Sequence, residues 1–466
     1  MNTKKSKILL TLLILLLLIL IKTKSFAAED ITIQFNDLNF LNKVSRLCTN
    51  KNVDTENLTI TMDKDVVDSI KEMTIESIEI KDFTGLEKFE NINKLTITFS
   101  NCEKESTLNI IKNMTNLTNL NLRGNELGNS ISALGSLTNL KYLYLENNYI
   151  SDITAIGNLT NLETLDLANN IIKDISPLEN LTNLKRLYLS TNIIEDITPI
   201  SGLSNLIDLN ISTNRIKEIN ALSNLNGLKK IILSNNRITD ISALSNFTTL
   251  DECNLYGNKI ENLSVLKANT GMTKLYIGNT GISDITEIVQ NMSNLINFDF
   301  QQNSVENIDV LRNLRKIKKM NMSNNKIKDI SAIENLPDLV ELRAFEQKIV
   351  VYANIGDTIT LPNIFAQSKN TSSKIHSTED YELSNVSLDG NSFTFNGEKS
   401  TVKIADGYAS DTELIVVRAG KNDPNDNTTA DGELPYAGLK IGIGVVSAVV
   451  ILAVFYIVKL HKYKDI

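Results

Sequence analysis

One asparagine returns on a fixed beat through most of this 466-residue chain, and that beat limits the possible folds more than any other feature. Asn148, Asn170, Asn192, Asn214, Asn236 and Asn258 stand 22 residues apart. Asn125 leads in one residue early. Thr280 takes the next place, and Asn303 and Asn325 follow after a one-residue insertion. The same apolar frame surrounds each, as in Leu140, Leu143, Leu145, Asn148, Ile150, Ile153 and Ile156. A period of this length marks a stack of units, each too small to bury its own core. Such stacks are quasi-one-dimensional and expose long continuous surfaces. The chain therefore reads as a binding surface before it reads as a catalyst.

Within a repeat, Leu143-Tyr144-Leu145 alternates as a strand does, with Leu143 and Leu145 inward and Tyr142, Tyr144 and Glu146 outward. Stacked repeats then form one long parallel sheet. The Asn follows the strand, where buried backbone groups at the turn need partners. Its side chain supplies two donors and an acceptor, so a ladder of one Asn per repeat is expected, with Thr280 as a weaker rung. On the back of each repeat stand Thr154, Ser176, Thr198, Asn220, Ser242, Ser264, Thr286, Asp309 and Ser331. All are helix N-cap types. Ala155, Pro177, Pro199, Ala221 and Ala243 follow, and Pro suits a first helical position. The space left for each helix predicts a single 3₁₀ turn. A thin back face predicts gentle curvature with the strands on the concave side.

The frame stops at both flanks. Residues 31–75 lack it and read as short helices with Phe35, Leu38, Phe40, Leu41, Val44 and Leu47 as their apolar face. An open solenoid end needs such a cap, which places a helical cap at 28–82. After Leu342 the period becomes two, as at Ile349 and Val351, Phe393 and Phe395, and Leu414 and Val416. Short alternating strands separated by turn residues predict a small β-sandwich over 344–419.

The two ends read as targeting segments. Lys4, Lys5 and Lys7 precede an apolar run from Ile8 to Ile21, broken only by Thr11, and Ser25-Phe26-Ala27 is a small-x-small site. That pattern is a signal peptide over 1–27. A second apolar run, Ile441 to Val458, is followed by Lys459, His461, Lys462 and Lys464. Its length and basic flank fit a membrane span, which places the body outside the cell. Residues 420–433 form a polar linker that runs into Leu434-Pro435-Tyr436-Ala437-Gly438, so linker and motif together occupy 420–437 up to the Ala437–Gly438 bond. The whole chain carries a net charge of -8. Without residues 1–27 and 438–466 it has 38 basic and 54 acidic side chains, or -16. So acidic a body argues against nucleic acid, whose binding rests on neutralised phosphates. Cys253 replaces a frame Leu or Ile and is expected to be a buried free thiol. A Cys48–Cys102 bridge stays open.

The 22-residue frame over 83–343 resembles the leucine-rich repeat in its bacterial form. The order of cap, repeats and a sandwich continuing from the last repeat resembles the internalin family. So does the stretch from Gln347-Lys348-Ile349 to Thr360-Leu361-Pro362-Asn363-Ile364. The resemblance implies an α/β solenoid, a leucine-rich repeat arc with a C-terminal Ig-like β-sandwich. It also implies a bacterial surface or secreted protein that binds host surface molecules through the concave face. Leu434 to Gly438, with the run and basic tail behind it (438–466), resembles an LPxTG sorting signal. That implies sortase cleavage after Ala437 and attachment to peptidoglycan. Ala437 stands where that motif has threonine, and a plain single-pass membrane anchor is the alternative.

The candidate ligand site lies on the concave face at Arg123, Tyr142, Tyr144, Glu146, Asp166, Arg186 and Tyr188, with Asp208 and Asn210 beside them. A second group holds Glu252, Tyr256, Lys274 and Tyr276. Tyr and Arg are the types enriched at binding hot spots. No Cys/His set has metal spacing, no nucleophile has a nearby His, and no phosphate loop appears. The expectation is a non-enzymatic protein without metal or cofactor, binding a protein or glycan, with host-cell adhesion implied by the resemblance. The alternative is a structural envelope protein that organises cell-wall components.

Overall fold

The computed structural model describes residues 29–49, 51–100, 104–327, 332–333 and 336–343, and the backbone of seven strands between 348 and 418. Its main element is a parallel sheet of 13 strands in sequential order. They are β4 (Glu72–Glu76), β5 (Lys94–Thr98), β6 (Asn119–Asn121), β7 (Tyr142–Tyr144), β8 (Thr164–Asp166), β9 (Arg186–Tyr188) and β10 (Asp208–Asn210). There follow β11 (Lys230–Ile232), β12 (Glu252–Asn254), β13 (Lys274–Tyr276), β14 (Asn297–Asp299), β15 (Lys319–Asn321) and β16 (Glu341–Arg343). The frame residues are buried, with Leu143, Leu145, Ile150 and Ile156 at 0% exposure. Burying apolar surface is worth about 25 cal/mol per Å², and here neighbouring repeats provide all of that burial for one another.

The asparagine ladder forms as the spacing predicts. Asn170 donates from Nδ2 to the Leu145 and Leu167 carbonyls, both at 3.0 Å, one in the preceding repeat and one in its own. Its Oδ1 accepts from the Asn148 and Ile150 N–H groups at 3.1 and 2.9 Å. The rung at Thr280 is the weak one. Its hydroxyl donates to the Ile277 carbonyl at 2.7 Å in its own repeat, and no bond to the preceding repeat replaces the second amide N–H.

Three expectations need correction. The cap is not purely helical. β1 (Asp30–Gln34), β2 (Lys51–Asp54) and β3 (Thr59–Asp63) form an antiparallel sheet beside α1 (Leu38–Leu47) and α2 (Lys64–Ser69). Ile31-Thr32-Ile33 and Ile60-Thr61-Met62 alternate with the period of strands, and β-branched side chains favour that state. Phe35, Phe40, Leu41 and Val44 are buried, but Leu38 and Leu47 are exposed, so the apolar face is narrower than expected. Phe35 packs on Phe40, and Phe40 on Phe83, at centroid distances of 5.3 and 5.1 Å, which joins the cap to the first repeat.

The sheet also begins earlier than residue 83. Met73 and Ile75 of β4 are buried and pair with β5, extending the sheet into the segment read as cap. The third correction concerns the back turns. They are mostly 3₁₀, as expected, but Thr154, Ser176 and Thr198 are their first residues and not their caps. The capping oxygen lies two residues earlier. Asp152, Asp174 and Asp196 accept those backbone N–H groups at 2.8 to 2.9 Å.

Beyond the repeats, β17 (Lys348–Ala353), β19 (Tyr381–Ser384), β22 (Lys399–Ile404) and β23 (Thr412–Arg418) form one sheet. β18 (Thr358–Thr360), β20 (Val386–Asp389) and β21 (Ser392–Phe395) form another. The period-two stretches are therefore strands; the packing of an Ig-like sandwich lies outside the described residues. So do the signal peptide, Cys102, the linker, the sorting motif and the run from Ile441 to Val458. No helix among the described residues is long and apolar enough to cross a membrane.

Candidate functional site: the open face of the repeat sheet

Strand register turns the sequence positions into columns. Tyr142, Thr164, Arg186 and Asp208 are neighbours in one column, and Tyr144, Asp166, Tyr188 and Asn210 in the next. Parallel strands lie about 4.8 Å apart, so Tyr144 and Tyr188 stand about 10 Å apart with Asp166 between them. The structure therefore brings five candidate residues together on β7, β8 and β9: Tyr142, Tyr144, Asp166, Arg186 and Tyr188. Arg123 and Glu146 form a corner beside them, paired at 3.1 Å.

The second column carries a pattern that sequence reading missed. Asn or Asp alternates with a large side chain, as Asn121, Tyr144, Asp166, Tyr188, Asn210, Ile232, Asn254 and Tyr276. Each Asn or Asp here accepts the N–H two residues on, as Asp166 does from Ala168 at 3.0 Å and Asn210 from Ser212 at 3.1 Å. Those side chains fold back on their own turn. The tyrosines do not, and they stand up between shorter neighbours. A count of 44 residues from tyrosine to tyrosine was the available signal.

Burial tunes the charges of this face. It pushes the Asp166 carboxyl up to about 6, Glu146 adds to the rise, and the Ala168 N–H and Arg123 oppose it. The Tyr188 hydroxyl is raised first by burial and then by its hydrogen bond to Asp208 Oδ2 at 2.9 Å. Tyr144 is raised by burial and by Asp166.

The second predicted group divides. Tyr276 shares the column of Tyr188, four strands away. Tyr256 lies beyond the end of β12, where its ring covers Gly278. A Cβ there meets Tyr256 Cδ2 at 2.7 Å. The Tyr256 hydroxyl donates to Gln302 Oε1 at 2.7 Å, so this ring is held by its own fold. Lys274 and Glu252 pair at 3.1 Å. Phe99 is a surface aromatic that the frame did not reveal. It is half exposed, with the Arg123 guanidinium 5.6 Å from its ring centre. Among the described residues no group of three His, Cys, Asp or Glu side chains could hold a metal ion. Cys253 is buried and free, its thiol pushed up to about 12 by burial.

This repeat geometry defines a leucine-rich-repeat protein. Family models agree: one described as leucine-rich repeats in two copies matches residues 115–158 and 160–203, and a second leucine-rich-repeat model matches 182–238. Among solved structures, an internalin from Listeria monocytogenes is 29% identical with a TM-score of 0.61, over 68% of this chain and 91% of that one. A leucine-rich-repeat protein of Leptospira interrogans is 20% identical with a TM-score of 0.55, over 62% and 81%. A plant peptide hormone receptor, in complex with RGF2, is 21% identical with a TM-score of 0.50, over 63% and 54%. The last two likenesses speak for the fold alone. No curated protein matches the chain. The chain thus carries leucine-rich repeats and is similar to a Listeria internalin.

Proposed function

We propose that this chain is a non-enzymatic surface protein that binds a protein ligand through the open, concave face of its repeat sheet. The observation that supports it best is the cluster of Tyr142, Tyr144, Tyr188 and Arg186 on three consecutive strands. Rings and a guanidinium on a rigid sheet lose little entropy on binding, and such residues dominate interface energetics. The internalin likeness supports the same reading, and adhesion to a host cell is the role it points to. Sortase-dependent attachment to peptidoglycan is the matching proposal for the C-terminus.

The test is capture of proteins from host-cell extract by the full chain and by a Tyr144→Ala/Tyr188→Ala variant. We expect the double change to cost over about 2 kcal/mol of affinity, as hot-spot residues do. Circular dichroism should be unchanged, because neither ring is in the core. Lys229→Ala is the control and should bind as wild type. Full affinity in the double variant moves the site away from this patch, with Tyr276 next to test. A parallel arm with cell-wall extract tests the structural-envelope reading, which the short linker of 420–433 favours, and the glycan reading.

A further inference from the structure

Arg186 is the exception among the cations of the open face. The others there reach a carboxylate at 2.9 to 3.5 Å, as Arg123 does on Glu146 and Lys274 on Glu252. Arg186 is exposed and, among the described residues, has no ion pair. Its register neighbour Asp208 is turned toward Tyr188 and accepts from that hydroxyl instead. Unsatisfied polar atoms gather on the same rungs. Among the described residues four buried side-chain atoms lack a hydrogen-bond partner. Two of them flank Arg186 in its own column: Thr164 Oγ1 on one side and Asp208 Oδ1 on the other. Thr164 is only 3% exposed although it points to the open face. An unmade buried hydrogen bond is costly; of the two, the Thr164 hydroxyl can donate to an incoming acceptor, whereas Asp208 Oδ1 can only accept.

Resting on the proposed binding face, we infer that Arg186 anchors a carboxylate of the protein ligand, an Asp or Glu side chain seated over Thr164 between Tyr142 and Arg186. A guanidinium offers a planar fork that matches a carboxylate with two parallel N–H···O bonds. Among the described residues the Tyr142 and Tyr144 hydroxyls have no hydrogen-bond partner; Tyr142 stands in the column of Arg186 and Tyr144 in the next, as further donors. Charge weighs against a phosphate. Glu163, Asp166 and Asp208 surround the one arginine, so each negative charge on a ligand is opposed, and a dianion is opposed more than a monoanion held by the guanidinium fork.

The experiment uses the full chain on an array of peptides in which a central Glu flanked by aromatic residues is varied to Gln, Lys and phosphoserine. A glucuronate-bearing oligosaccharide is included as the non-protein carboxylate. The expected result is retention of the Glu peptides at least tenfold above their Gln counterparts. In Arg186→Gln that preference falls below twofold, while Tyr144→Ala weakens Glu and Gln peptides together. Equal retention of Glu and Gln peptides by wild type overturns the carboxylate subsite. So does a Glu preference that survives Arg186→Gln, a preference for phosphoserine or the glucuronate glycan, or retention of no peptide. Tyr-dependent retention without a Glu preference removes the subsite and leaves the binding face standing.

Discussion

Two residue-level features have consequences that can be measured. The residue before each ladder asparagine lies in the left-handed region, as Asn147, Asn169 and Asn235 do with φ of 54° to 59°. Thr191 and Thr213 occupy the same place with φ of 57° and 54°. A β-branched side chain is strained there, whereas Asn tolerates it. Both threonines are exposed, so Thr191→Asn and Thr213→Asn should each stabilise the protein by about 0.5–1 kcal/mol. Thermal or urea unfolding reads the change, and a lowered midpoint sinks the strain argument. The second feature is Asp166. Its folded-state carboxyl titrates near 6, above the unfolded value. The native state therefore holds its proton more tightly than the unfolded chain, and stability falls as pH rises from about 4 to 6. Above 6 the buried charge is a standing cost. Asp166→Asn keeps an acceptor for the Ala168 N–H and removes that charge. We expect a gain of up to about 2 kcal/mol at pH 7, shrinking toward zero at pH 4. An equal gain at both values rules out the burial explanation.

At the scale of the element, the repeat is held by two ladders of unequal worth. The inner one uses buried asparagines, and Asn192 carries one rung with Nδ2 bonds of 3.0 Å to the Leu167 and Leu189 carbonyls. The outer one was not foreseen. Asn139, Asn161, Asn183 and Asn205 each donate to a carbonyl of the preceding repeat at 2.8 to 2.9 Å on the exposed return. Water can replace those outer bonds but not the inner ones. Asn192→Ala should cost about 1–3 kcal/mol, and Asn183→Ala well under half of that. Urea midpoints compare them, and equal losses contradict the role given to burial. Thr280→Asn completes the weak rung by supplying a second N–H to the preceding repeat, and it should be neutral or stabilising. This part of the stack is also irregular in its core. Asn269 fills a position held by Leu in most other repeats and by Phe247 and Met292 in its neighbours, fully buried with its Oδ1 unpartnered. Asn269→Leu should therefore raise the midpoint as well.

At the scale of the whole molecule, the question is how the binding face is presented. The proposed anchor predicts that muramidase, and not detergent alone, releases the chain from cells. Immunoblotting of the two extracts decides, and full release by detergent with the Lys464 end intact supports a membrane span instead. The acidic charge of the body also bears on presentation. Such a charge opposes approach to anionic surfaces such as nucleic acid, and weak retention on heparin at low salt is the expected outcome. A cationic or neutral partner with a local acidic anchor suits it better.

The sequence alone determined the period, the parallel strands, the asparagine ladder and the outward set of side chains. These follow from local rules repeated many times: alternation on strands, and one buried turn per repeat that needs the same partner. It did not determine the cap, where Ile33, Ile60 and Met62 pair across distant segments to make an antiparallel sheet. Nor did it show the early strand β4, whose partner lies 22 residues away outside the regular frame. The candidate site was legible as a list and not as an arrangement. Only the register showed that Tyr144 and Tyr188 rise between folded-back Asp and Asn side chains, that Tyr256 is held by Gly278 and Gln302, and that Arg186, among the described cations of the open face, makes no ion pair. Those facts depend on which neighbour each side chain finds across the sheet. Tertiary packing makes that choice, because residues 22 apart in sequence become neighbours about 4.8 Å apart in space.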